Sequence, residues 1–321
     1  MQTVYAGVDV GGTRIKVGLA DSSGRLLSSE LLETKAYQDA ETFLDTIAAE
    51  IKAQSKAASL PLAAAGLGCP GRIDHAAGKV VWLKSKLEFL EYLPLAAELR
   101  QRLGCPVVCD NDVKTILAGE VKFGAGRSYR NVVGFTVGTG IGGAIVIDGK
   151  MVRGKNWAAG HFGYMSIDPC GPLYVTGNTG IFEEHASQSG ILRQIQKALD
   201  AGETSPLTAA LARGEEPGPR ELFEAADAGD ALSRRLSERM ILELGTLTAN
   251  LIFALDPELV LIGGGLLSHR PSVLDAIRDE GARRVAFLPP RATKILPMGL
   301  GDAAGVLGGV ALAMEAVPPS N

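Results

Sequence analysis

From Val4 to Val10 apolar positions alternate with small or polar ones, Gly11-Gly12 interrupts, and Thr13 to Ala20 resumes the alternation. A period of two broken by glycine predicts a β-hairpin. Phe43, Leu44, Ile47 and Ile51 recur at helical spacing, which predicts an amphipathic helix from Glu41 to about Ser59. A short strand over Ala64 to Gly68 is broken by Pro70-Gly71. Pro94 suits a first helical turn and Gly104 a left-handed end, so they bracket a helix over Leu95 to Leu103. Pro106 to Cys109 is another apolar strand, running directly into Asp110-Asn111-Asp112 and a further helix.

The pattern then returns. Asn131 to Val137 predicts a strand, Gly138 to Gly143 a glycine turn, and Ala144 to Ile147 a returning strand closed by Asp148-Gly149. At an offset of 127, Val10 falls on Val137, Gly11 on Gly138 and Asp21 on Asp148, which suggests two halves built on one plan. Ala201 to Arg220, rich in Gly, Pro and charge, reads as a surface excursion. Asp230 caps a long helix whose stripe is Leu232, Leu236, Met240, Leu244, Leu247 and Leu251, ending near Asp256-Pro257. A buried strand over Leu259 to Ile262 stops at Gly263-Gly264-Gly265, and Ala303 to Met314 forms a small-residue helix suited to close packing. The expected fold is α/β, with two related lobes.

Composition narrows the function. The 321 residues suffice for about two domains, and 46% hydrophobic with 21% charged residues is a globular composition. Thirty-two Lys+Arg against 36 Asp+Glu leave a net charge of -4, which is not the electrostatic footprint of a nucleic-acid binder. No apolar run reaches membrane-span length, and no basic-then-apolar leader opens the chain. Cys69, Cys105, Cys109 and Cys170 are too few and too irregular for a disulfide framework, so a reducing cytoplasm is the simplest setting. Cys105 and Cys109 read as small buried hydrophobes, not metal ligands.

Three glycine clusters follow strands: Gly11-Gly12-Thr13, Gly138-Thr139-Gly140-Ile141-Gly142-Gly143, and Gly263-Gly264-Gly265. Any one could be an ordinary turn. Together they suit nucleotide phosphates, because glycine lets backbone N–H groups approach an anion. None matches the phosphate-loop motif or opens a helix with dinucleotide spacing. Asp9 just before the first turn would repel phosphate unless it faces a divalent cation, and magnesium is held by one or two carboxylates. Lys16 either points back at the same phosphates or is a solvated strand lysine. Asp112, between a short strand and a helix, is the candidate general base, a role compatible with capping that helix.

These residues, in order and spacing from about residue 4 to 314, resemble the ROK (repressor, open reading frame, kinase) family: Asp9-Val10-Gly11-Gly12-Thr13-Arg14-Ile15-Lys16, Gly68-Cys69-Pro70-Gly71, Asp110-Asn111-Asp112, Gly138 to Gly143, and Asp256-Pro257 through Gly265. The resemblance implies a duplicated actin-like (ribonuclease H-like) ATPase fold with an interlobe cleft. The small lobe would take residues 1–118 and 302–321, the large lobe 119–301. It further implies ATP and Mg2+ between the lobes and a homodimer. Gly11, Gly12, Thr13 and Lys16 would serve the first phosphate segment, Gly138, Thr139 and Gly140 the second, and Gly264 and Gly265 the adenosine side, with Asp9 near the metal. Gly71, Asn111, His161, Tyr164 and Glu183 would line the sugar site, with Asp112 as base. The family's repressors carry a DNA-binding module ahead of the first hairpin; eight residues precede Asp9, so none is expected, nor a nucleic-acid or membrane partner.

Two departures stand out. Where the resemblance implies Glu-Ile-Gly-His, the chain reads His161-Phe162-Gly163-Tyr164. Where it implies the zinc run C-x-C-G-x-x-G-C, the chain reads Tyr174-Val175-Thr176-Gly177-Asn178-Thr179-Gly180-Ile181. No structural zinc is expected. Exchanging a carboxylate for His161 suggests an acceptor differing from plain glucose near its anomeric side. Lys84 and Lys86 are expected to be solvated, and His75 and His185 structural. The leading expectation is an ATP-dependent kinase of a hexose or hexose derivative, glucokinase-like, acting on the 6-OH. The rivals are a sugar or nucleotide sensor and an ATPase of the same fold.

Overall fold

Strand β1 (Val4–Val10) sets the geometry of the first half. Val4, Ala6, Val8 and Val10 are fully buried in a core shared with Phe43, Ile47 and Ile51 of helix α1 (Ala40–Ala58). The alternate positions turn to the other face, where the last helix lies. There Gly7 leaves a gap that only a missing side chain allows: a Cβ would fall 1.8 Å from the Val306 carbonyl. Gly66 makes the same approach at Gly309. Period two therefore carries Asp9, one step beyond Gly7, to the N-terminal turn of that helix, where its carboxyl would meet a Cβ on Gly305 at 2.2 Å.

The computed structural model describes residues 3–83, 87–265, 270–289 and 292–317. Beyond β1, the described strands are β2 (Arg14–Ala20), β3 (Leu26–Glu33), β4 (Leu62–Cys69), β5 (Arg72–Asp74), β6 (Lys79–Trp82), β7 (Val107–Asn111), β8 (Val132–Val137), β9 (Ile141–Ile147), β10 (Lys150–Met151), β11 (Leu259–Gly263) and β12 (Lys294–Pro297). After α1 come α2 (Leu95–Leu103), α3 (Asp112–Phe123), α4 (Phe182–Ala186), α5 (Gln188–Asp200), α6 (Pro206–Ala212), α7 (Pro219–Asp227), α8 (Ala231–Leu255), α9 (Pro271–Arg284) and α10 (Ala304–Glu315).

One five-stranded sheet has the order β3-β2-β1-β4-β7 and another β10-β9-β8-β11-β12. Each contains an antiparallel hairpin whose first strand pairs in parallel with the next strand inward: β1 with β4, and β8 with β11. The two orders are the same topology written twice, as the offset glycine hairpins suggested. The fully buried run Leu259 to Ile262 suits a strand covered on both faces.

Two compact units emerge from the contacts. The first comprises residues 1–129, 145–159 and 298–321; the second comprises 130–144 and 160–297. These units do not follow the expected division into 1–118 with 302–321 and 119–301: residues 119–129, 145–159 and 298–301 group with the first unit.

Several local readings change. The second glycine turn is shorter than expected: β9 starts at Ile141, so Gly142 and Gly143 are strand residues. The stretch Ala201 to Arg220 is not a plain excursion, because Pro206 and Pro219 each open a helix at a first-turn position. Proline and glycine there mark helix starts and ends. Of the two cysteines read as buried hydrophobes, Cys109 is buried and Cys105 only half-buried at the end of the loop into β7. Lys84 and Lys86 lie outside the described residues.

Candidate active site

In the first unit the chemistry gathers where β7 meets α3. Asn111 is the cap of that helix, a role the sequence offered to Asp112: its side-chain oxygen accepts from the Val113 and Lys114 amides at 3.1 and 3.3 Å. Its amide nitrogen donates to the Gly71 carbonyl at 3.0 Å and to Asp112 Oδ1 at 2.7 Å. Asp112 Oδ1 also accepts from the Val113 amide at 2.9 Å. Asp112 Oδ2 has no hydrogen-bond partner among the described residues, so one oxygen is fixed and the other is open. Burial raises its pKa to about 6, and the charge of Asp9 adds to that rise.

Behind this pair is a charge cluster that sequence reasoning missed. Asp110, fully buried, accepts from Arg153 Nε at 2.7 Å. His75 Nδ1 sits 2.9 Å from the Cys109 carbonyl and 3.5 Å from Asp110, the structural role expected of it. Lys114 is 1% exposed, with its ammonium 3.5 Å from the Trp157 carbonyl, and burial lowers its pKa against the pull of Asp110 and Asp112. A buried carboxylate at the end of an apolar strand signals a cation partner. The partner's place, 43 residues away, was not readable from spacing.

The first glycine turn is held from below: the Gly11 amide donates to the Arg14 carbonyl at 3.0 Å, and Thr34 Oγ1 donates to the Gly11 carbonyl at 2.8 Å. Gly12 and Thr13 remain exposed at its crest. The Lys16 ammonium donates to the Asp302 carbonyl at 2.9 Å, which ties β2 to the turn before α10. Asp9 is half-buried, and burial raises its pKa against the opposing effect of Lys16. A half-buried carboxylate beside a glycine turn, near enough to Asp112 to act on its charge, suits a hydrated divalent cation.

The second unit holds the other glycine turn. Gly138 has open space where a Cβ would be, and its carbonyl and that of Thr139 accept from the Gln188 and Ser189 amides of α5 at 3.0 and 3.2 Å. Gly264 has φ +109 and lies against the Val137 backbone, a conformation and approach that require glycine. Between these elements opens a pocket of about 520 Å³, lined by Gly138, Gln188, Phe223, Asp227, Gly265 and Arg270. The Arg270 guanidinium lies 5.2 Å over the Phe223 ring and pairs with Asp227. Phe223, Gln188 and Arg270 are absent from the sequence reading, because the segment contributing Phe223 adjoined the presumed excursion.

Also in the second unit, Glu183 Oε2 accepts from the Ile141 amide at 2.8 Å and Oε1 from the Tyr174 hydroxyl at 2.8 Å. His161 and Tyr164 stack 5.8 Å apart at 17°, and Tyr164 and Tyr174 lie 6.0 Å apart. His185 Nδ1 is 3.4 Å from Glu243, and its buried Nε2 has no hydrogen-bond partner among the described residues.

The order of these turns and carboxylates matches a known plan. The ROK family profile matches residues 5–316. The chain belongs to the ROK family. Within this family it is 29% identical to a glucokinase of Thermotoga maritima over 97% of each chain. It is 30% identical to an N-acetyl-D-glucosamine kinase of Escherichia coli O157:H7, over 95% of this chain and 97% of that one. The structure of a ROK family glucokinase from Streptomyces griseus, in complex with glucose and AMPPNP, superposes with a TM-score of 0.79 at 31% identity, covering 98% of this chain and 100% of that chain. As a ROK protein this chain carries Tyr164, Tyr174, Thr176 and Ile181 at the positions where the resemblance implies zinc ligands. The segment is tied instead by ring contact, by Asn178 donating to the Tyr164 carbonyl at 2.8 Å, and by a bridge between Ser166 and Ile181.

Proposed function

We propose that this ROK protein is an ATP- and magnesium-dependent sugar kinase that phosphorylates the primary hydroxyl of a hexose or hexose derivative, with Asp112 as general base. The observation that carries the reading is the state of Asp112. One oxygen is immobilised by Asn111 and the helix amide, the other is open, and a pKa of about 6 leaves it ionised yet basic at neutral pH. Asn111 orients that carboxylate, and Gly71 orients Asn111.

The glycine turns supply backbone N–H groups to the donor's phosphates, and the pocket beside Gly138 and Gly265 suits a nucleoside in size and lining. Asp9, with Asp112 near enough to feel its charge, is the group that would hold magnesium; when bound, the ion neutralises charge on the transferred phosphoryl. Glu183 serves the acceptor's hydroxyls. His161 stands where a carboxylate was expected and joins Tyr164 and Tyr174 in a ring array, and this favours an acceptor with an acylamino or similar substituent over free glucose. No structural zinc is part of this reading.

A coupled assay over glucose, mannose, N-acetylglucosamine and N-acetylgalactosamine tests it, with Asp112→Asn run alongside. The expected result is ATP-dependent turnover of one or more sugars, lowered about a thousandfold by the substitution. Sugar-independent ATP hydrolysis that survives Asp112→Asn would overturn the reading in favour of an ATPase.

A further inference from the structure

Glu183 stands between two elements with different tasks. Its Oε2 accepts from the amide of Ile141, the first residue after the Gly138-Thr139-Gly140 turn. The same oxygen lies 2.4 Å from where a Cβ on Gly140 would be, so the carboxylate packs directly under that turn. Its Oε1 accepts from Tyr174 at 2.8 Å. Tyr174 comes from a small hairpin closed by its own amide donating to the Asn178 carbonyl at 2.8 Å and by a bridge between Leu173 and Thr179. The hairpin's apolar residues Leu173 and Val175 are 74% and 88% exposed, while the Tyr174 ring turns inward against Tyr164.

Resting on the kinase reading above, we infer that Tyr174 is a positioning residue: through Glu183 its hydroxyl holds the second phosphate turn in its binding shape, so that one carboxylate couples the acceptor hairpin to the donor's phosphates. The physical argument is orientational. A carboxylate with both oxygens engaged has a single side-chain conformation, and hydrogen bonds to a charged acceptor are the strong ones. With the phenol removed, Oε1 turns toward water, and the grip of Oε2 on Ile141 loosens with it. Burial and the neighbouring Glu183 charge hold the Tyr174 pKa above its ordinary value, so the hydroxyl stays a donor across the working pH range. Tyr174→Phe keeps the ring beside Tyr164 and removes only the hydroxyl that donates to Glu183.

The test compares wild type with Tyr174→Phe, Glu183→Gln and the double variant, using AMPPNP affinity by calorimetry and acceptor KM by coupled assay. Tyr174→Phe keeps the ring and is expected to weaken AMPPNP binding and raise acceptor KM about tenfold, with kcat at saturation changed less than about threefold. In the Glu183→Gln background the same substitution is expected to have little further effect, because the hydroxyl acts only through that carboxylate. Additive losses, or a Tyr174→Phe protein that binds both ligands like wild type, would overturn the inference alone. Wild type that binds no AMPPNP would overturn the kinase reading and this inference together. Should the variants fail to fold, hydrogen exchange at the Ile141 amide in wild type decides: slowing on AMPPNP addition is expected, and unchanged exchange counts against the coupling.

Discussion

At Asp112 the two carboxylate oxygens have different fates, and that asymmetry sets its pH behaviour. Burial holds the folded-state pKa at about 6, above the ordinary value of 3.8. In the proposed role of base it must be ionised, so kcat is expected to fall about tenfold per pH unit below about 6 and to level off above it. A pH–rate profile that stays flat down to pH 5 would contradict this. The stability effect has the opposite sign. Because the folded form keeps its proton to higher pH than the unfolded chain, ionising Asp112 opposes folding, a cost absent below about pH 4 and complete above about pH 6. Asp112→Asn is therefore expected to melt later than wild type at pH 7.5, with the gain vanishing near pH 4. Stability and activity diverge at this one side chain, as they do where a site stores unfavourable charge.

At the scale of elements, helix α10 and strand β1 depend on the absence of side chains. Ala, Gly and Val dominate α10, and its backbone lies close enough to the sheet that Gly7→Ala would drive a methyl into the Val306 carbonyl. That substitution is expected to cost about 3 kcal/mol, read as a lowered denaturant midpoint, and to displace Asp9 from the helix N-terminus. Helix α1 offers the contrasting case. Ser59 closes it at φ 54, in the left-handed region, with its side chain exposed. Ser59→Gly is expected to stabilise the fold by about 0.5 kcal/mol, the relief of strain exceeding glycine's extra freedom in the unfolded chain. A lower melting temperature for Ser59→Gly would show that the cap is not strained.

For the whole molecule, the two sheets share one strand order, and the glycine hairpin recurs in each. Metal dependence follows from the proposed chemistry, not from the fold. A chelator is expected to abolish turnover, with Mg2+ restoring it, while the melting temperature stays within about 1 °C because the segment from Tyr164 to Ile181 is tied by hydrogen bonds and ring contacts. Stoichiometric zinc in the purified protein, or a large drop in melting temperature on chelation, would refute this.

What the amino-acid sequence determined by itself was everything carried by local periodicity and by contiguous motifs. The alternation of β1, the stripe of α8, the caps at Gly104 and Asp230, and the glycine turns with Asp9 and Asp112 all depend on residues within a turn or strand of one another, so their spacing alone encodes them. The family resemblance rests on those same motifs. Tertiary structure alone decided which distant side chains neutralise or orient one another. Arg153 on Asp110, Lys16 on the Asp302 carbonyl, Tyr174 on Glu183 and Arg270 over Phe223 join residues separated by 9 to 286 positions. No period marks such pairs. They exist because a buried charge or hydroxyl must find a partner, and only the folded backbone determines which partner is within about 3 Å.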